Sequence, residues 1–78
     1  MNQADLNGAK NAILSILGKT ELPQGSMYEH KIPYSDVWII FVKKELLDDD
    51  GSKKLNLLVN EHKWNLDDKR KKGYWDIQ

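Results

Sequence analysis

The chain has 78 residues, which makes it one domain with a limited core, since a chain this short buries only about 60% of the surface its unfolded form exposes. It contains no cysteine, which excludes a disulfide scaffold, a thiolate metal site and a cysteine nucleophile together. Twelve basic residues balance twelve acidic ones, so no overall field draws it to nucleic acid or an anionic membrane, while 40% hydrophobic content with three Trp and three Tyr is too rich for a disordered segment.

Residues 1–78 therefore read as a single small domain. No apolar run approaches a membrane span, and MNQADLNGAK lacks the basic start and apolar centre of a secretion signal, so a soluble, cytoplasmic chain is the expectation. From residue 2 to residue 17, Leu6, Ala9, Ile13, Ile16 and Leu17 recur three and four apart, which draws one apolar stripe down a helix. Asn2 is placed to cap it, Asp5 falls in the first turn, and Gly18 stands where a left-handed residue ends it.

Residues 19–34 form a connector punctuated by Pro23, Gly25 and Pro33. Within it, 26–32 predicts a short strand, with Tyr28, His30 and Ile32 alternating against Met27, Glu29 and Lys31. Pro33 confines that strand to a sheet edge.

The segment 35–64 predicts a long β-hairpin, because two β-rich runs, SDVWIIFVKKELL and KKLNLLVNEHKW, flank an acidic turn ending in Asp50-Gly51. Two registers are open. A two-residue turn sets Trp38 opposite Lys63 and Ile40 opposite Glu61; a bulged Gly51 shifts the pairing by one and sets Phe41 opposite Val59. The bulged register is favoured because it collects Val37, Ile39, Phe41, Leu55, Leu57 and Val59 on one core face. Beyond the hairpin, Asn65 is placed to cap a short helix that has Asp67 and Asp68 at its start and Lys69, Arg70, Lys71 and Lys72 at its end, a polarity that suits the helix dipole. The tail Tyr74, Trp75, Asp76, Ile77 resumes strand composition.

These elements define an α+β fold, with an N-terminal helix packed on a small antiparallel sheet centred on the long hairpin, then a short C-terminal helix and a terminal strand or arm. The hairpin's second face, with Trp38, Ile40, Val42, Leu46, Leu58 and Trp64, carries more apolar area than one helix can cover. Covering it calls for the tail, a second copy or another protein. The resulting expectation is a non-enzymatic interaction module, a regulator or inhibitor, that binds a protein partner or itself through Trp38, Ile40, Val42, Leu58, Trp64 and Trp75, with no cofactor and no metal.

Other chemistry is weaker in the sequence. Lys69, Arg70, Lys71 and Lys72 followed by Tyr74 and Trp75 place cations beside stacking aromatics, as a single-strand nucleic-acid binder uses, although Asp67, Asp68 and Asp76 flank the run. Asp36, Glu61 and Lys63, one acid opening a strand and Glu-x-Lys closing the next, form an arrangement that resembles restriction-endonuclease-like nucleases. That resemblance implies Mg²⁺ held by two carboxylates and a water positioned by lysine. Only the two-residue turn brings all three to one side. His30 and His62 each follow a glutamate but lack a third nitrogen or sulfur ligand for zinc. Gly18-Lys19-Thr20 ends a helix and so fails as a phosphate loop, and the Asp48 to Gly51 run lacks the remaining ligands of a calcium loop.

Overall fold

A computed structural model describes residues 1–19 and 21–78; Thr20, the last residue of the Gly-Lys-Thr run, lies outside the described residues. The elements are α1 (Gln3–Leu17), β1 (Met27–Lys31), β2 (Trp38–Lys43), a 3-10 turn (Lys44–Leu46), α2 (Asp49–His62), β3 (Leu66–Asp67) and β4 (Tyr74–Ile77). The architecture is α+β, with a four-stranded antiparallel sheet in the order β1-β2-β4-β3.

The N-terminal helix forms as its pattern predicts. The Asn2 side chain accepts from the Asp5 amide at 3.0 Å, and Gly18 closes the helix at φ 68. Leu6, Ala9 and Ile13 are its buried stripe. The β1 strand also lies where expected, at the sheet edge that Pro33 requires, and Tyr74 to Ile77 forms the terminal strand.

The long hairpin is elsewhere. Its real partners are β1 and β2, paired from Met27↔Val42 to Lys31↔Trp38, and the expected second strand is the helix α2. Leu55, Leu57 and Val59 alternate like a strand, but Leu55, Leu58, Val59 and His62 also recur three and four apart, and the tertiary fold uses that second period. Asp48 is a helix cap and not a turn residue: its Oδ1 accepts from the Gly51 amide at 2.7 Å, and Asp49 and Asp50 place negative charge on the first turn. Gly51 serves close packing. A Cβ there would lie 3.1 Å from Leu47 Cδ2 and 3.2 Å from Asp48 Oδ1, so a larger residue would require these side chains to give by a few tenths of an ångström. Both proposed hairpin registers therefore lapse, because neither strand pairing exists.

The short helix expected after Asn65 is also absent. Asp67 accepts from the backbone amides of Asp68 and Lys69, at 2.7 and 3.3 Å, which makes a side-chain turn where a helix would have begun. Leu66 is the one apolar residue from Asn65 to Gly73, so a helix there would have no stripe to bury. The segment instead forms β3 and a loop returning to β4.

Both helices cover the same sheet face. Leu6, Ala9 and Ile13 of α1 and Leu55 and Val59 of α2 enclose Ile40, Val42 and Ile77 in one core. Met1 joins this layer through its backbone, which exchanges hydrogen bonds with Trp38 at 2.7 and 3.2 Å. Because α2 stands on its cap, Asp48→Ala is expected to cost about 1 kcal/mol. In a domain this small that lowers the melting temperature by roughly 4–8 °C, and a thermal scan showing no change would remove the cap from the account.

Candidate functional site on the helix-free sheet face

Alternation in β2 sends Trp38, Ile40 and Val42 to the helices and Ile39, Phe41 and Lys43 to the other face. That reverses the expected assignment, which made Ile39 and Phe41 the core and left Trp38, Ile40 and Val42 to be covered by the tail, a second copy or another protein. Ile40 and Val42 have 0% exposure, and Trp38, Leu58, Trp64 and Trp75 pack part-buried against the same core. The surplus apolar face is thus covered within the chain. Trp64 stacks on His62, with ring centroids 4.4 Å apart, beside a groove of about 240 Å³ that also touches Ala4 and Gly8. Lys44 sits 4.7 Å over the Trp75 ring.

Among the described residues no helix covers the opposite face. Register brings Tyr28 of β1 beside Phe41 of β2, and the rings stack at 5.1 Å and 24°. Tyr74 of β4 meets Tyr28 edge-on at 5.7 Å and Phe41 at 6.5 Å, and its hydroxyl donates to the Gly25 carbonyl. The β3–β4 loop then returns over this cluster. Lys71 donates to the Tyr28 hydroxyl at 2.7 Å and lies 4.8 Å from the centroids of both tyrosines. Its ammonium is held above the ordinary lysine range, chiefly by the hydrogen bond to Tyr28. Lys69, Arg70 and Lys72 are exposed along the same loop.

Two ion pairs also tie the loop down. Lys44 binds Asp68, and that hydrogen bond, reinforced by the lysine charge, lowers the Asp68 carboxyl from its ordinary range. Arg70 Nε lies 3.6 Å from Asp76 Oδ2. Asp76 is the unusual group. It is 1% exposed on the helix-free face, paired across the sheet with Asp67, and among the described residues no donor reaches good hydrogen-bond geometry at either carboxylate oxygen. Burial pushes its carboxyl up first and the charge of Asp67 pushes it further, with Arg70 opposing.

The other candidate constellations do not assemble. Asp36 lies in the β1–β2 loop, Glu61 in α2 and Lys63 at its left-handed C-terminal residue, so the cross-hairpin alignment that would join them is missing. His30 is on β1 and His62 ends α2, and no group of three ligand side chains that could hold a metal occurs among the described residues. Of the basic and aromatic segment, Lys71 and Tyr74 come together on the helix-free face while Trp75 points to the helices. Tyr28 and Phe41 were missed as site residues; the alternation of Tyr28 with His30 already placed Tyr28 on one side of an edge strand, but nothing local placed Phe41 beside it. Among the described residues no helix is long and apolar enough to cross a membrane. No family model, no curated protein and no solved structure matches this chain.

Proposed function

We propose that the chain is a small non-enzymatic interaction module, that its working surface is the helix-free sheet face, and that the occupant this surface fits best is a single-stranded nucleic-acid segment. The observation that carries this reading is Lys71 lying across Tyr28 and Tyr74, with Lys69, Arg70 and Lys72 on the same loop. Stacking aromatics bordered by cations are what bases and phosphates require together. A protein partner held in a regulatory or inhibitory complex is the competing occupant of the same face. Neutral net charge makes the affinity a local matter, which favours weak and strongly salt-dependent binding.

Fluorescence anisotropy with short labelled homothymidine and homouridine strands tests this directly. Binding at low salt is expected, and Tyr28→Leu should weaken it by about tenfold, the scale of one lost base stack. Lys71→Ala should flatten the salt dependence by about one phosphate's worth. Absence of binding at low salt would end the nucleic-acid reading; an acidic peptide that binds instead, and is lost with the same two substitutions, would assign the face to a protein.

A further inference from the structure

The outer edge of β1 is open, and its charges are complementary to themselves. The backbone bonds Lys43 N–H to Ser26 O and Ile32 N–H to Val37 O fix the hydrogen-bonded pairs of the β1–β2 ladder at even-numbered residues of β1. Tyr28 and His30 therefore spend their backbone groups on β2, while those of Met27, Glu29 and Lys31 point away from it. No other segment among the described residues bonds to them. Glu29, His30 and Lys31 are exposed, and Glu29 forms an ion pair with Lys10 at 3.3 Å.

We propose that a second copy of this chain docks on β1 by two-fold antiparallel pairing centred on His30. Symmetry and hydrogen bonding leave few registers, because outward-pointing residues must pair with outward-pointing residues. Centring on Glu29 or on Lys31 sets like charges directly opposite, which is destabilising. Centring on Tyr28 sets Met27 against Glu29. Centring on His30 pairs each Glu29 with Lys31 of the partner subunit, twice, and sets Tyr28 against the partner's Ile32 on the aromatic face.

A second feature fits this arrangement. Tyr34, just past β1, is fully exposed at 107% and holds a left-handed φ of 62, a strained conformation for a bulky residue. In the His30 register the turn that follows Ile32 and returns to Val37 would sit at the end of the partner's β1, near the partner's Met27, which gives the Tyr34 ring a surface to cover. Charged residues on an edge usually keep strands apart; here opposite signs two residues apart make the edge adhesive only to itself, in one register. The pairing is short, so the dimer is weak and reversible. It would join two four-stranded sheets into one and place two helix-free faces side by side.

The absence of native cysteine makes a single thiol a clean reporter. His30 would face its own copy at a non-hydrogen-bonded position, where Cα atoms are about 4.5 Å apart, within the reach of a disulfide. Under mild oxidation His30→Cys is expected to form a covalent dimer at least tenfold faster than Glu29→Cys or Lys72→Cys. Sedimentation provides the second arm. Glu29→Lys alone and Lys31→Glu alone should each weaken association about tenfold, since each turns two attractive pairs repulsive, and mixing the two variants should restore it. Equal cross-linking at all three sites, a wild type that stays monomeric at the highest soluble concentration, or no recovery on mixing would overturn the proposal. Because oligonucleotide binding is measured separately, either result leaves the reading of the aromatic face to its own test.

Discussion

Leu55→Ala is expected to destabilise the chain by about 2–5 kcal/mol, whereas Leu57→Ala, two residues away, should change stability by no more than about 0.5 kcal/mol. Leu55 is 1% exposed and sits in the core with Ile13, Val42 and Ile77; Leu57 is 68% exposed on the outer side of α2. Truncating Leu55 removes its transfer free energy and leaves a cavity between two helices and a sheet. Truncating Leu57 removes little contact and installs a better helix former. A marginal domain holds about 5–15 kcal/mol in all, so the first change takes a large share of it and the second does not. Urea denaturation of the two variants gives the answer. Equal losses would restore a strand in which both residues face one core.

Asp76→Asn is expected to raise stability at neutral pH by about 1–3 kcal/mol, the scale of relieving a buried group that lacks partners. The gain should vanish in acid. The folded chain holds the Asp76 proton more tightly than the unfolded chain does, because burial and the charge of Asp67 both disfavour the ionised form. The contribution of Asp76 is therefore fullest below the ordinary aspartate value of about 4, and it is lost as pH rises through the raised folded-state value. Denaturation curves across that window should show wild type and Asp76→Asn converging at the acid end and diverging toward neutrality. An asparagine variant weaker than wild type at pH 7 would mean that Arg70, 3.6 Å away, fully compensates the charge.

Why a buried carboxylate lacks partners follows from the strand that carries it. In β4, Trp75 and Ile77 point to the helices, which forces Asp76 and Tyr74 to the other face whatever their polarity. The β3–β4 loop then closes over Asp76, anchored by Lys44–Asp68 and by Lys71 on the tyrosines. The same loop that orders the aromatic face thus seals the carboxylate beneath it.

Local chemistry was legible wherever a signal involved neighbours in sequence. Asn2 with Asp5 and Gly18 marked α1, Pro33 marked β1 as an edge, and the YWDI composition marked β4. The same local signals misled at Asp48 to Gly51, where an acidic run before glycine suits a turn and a capped helix start equally well. Asn56, Lys53, Lys54, Asn60 and Glu61 are poor strand formers and favoured the helix, but three alternating apolar residues outweighed them. The site was half legible. Lys71 and Tyr74 lie in one basic and aromatic run, whereas their meeting with Tyr28, forty-three residues from Lys71, depends on the order of strands in the sheet.

The sequence by itself determined the α+β class, the first helix with both of its ends, the edge strand and the terminal strand, because caps, proline and apolar period act over a few residues. Tertiary structure alone decided that 49–62 is a helix and that Ile40 and Val42, not Ile39 and Phe41, face the main core. A central strand apolar on both sides contains no information about which side the helices will take. That choice is made when α1 and α2 pack together, and it leaves Tyr28, Phe41 and Tyr74 on the face that remains.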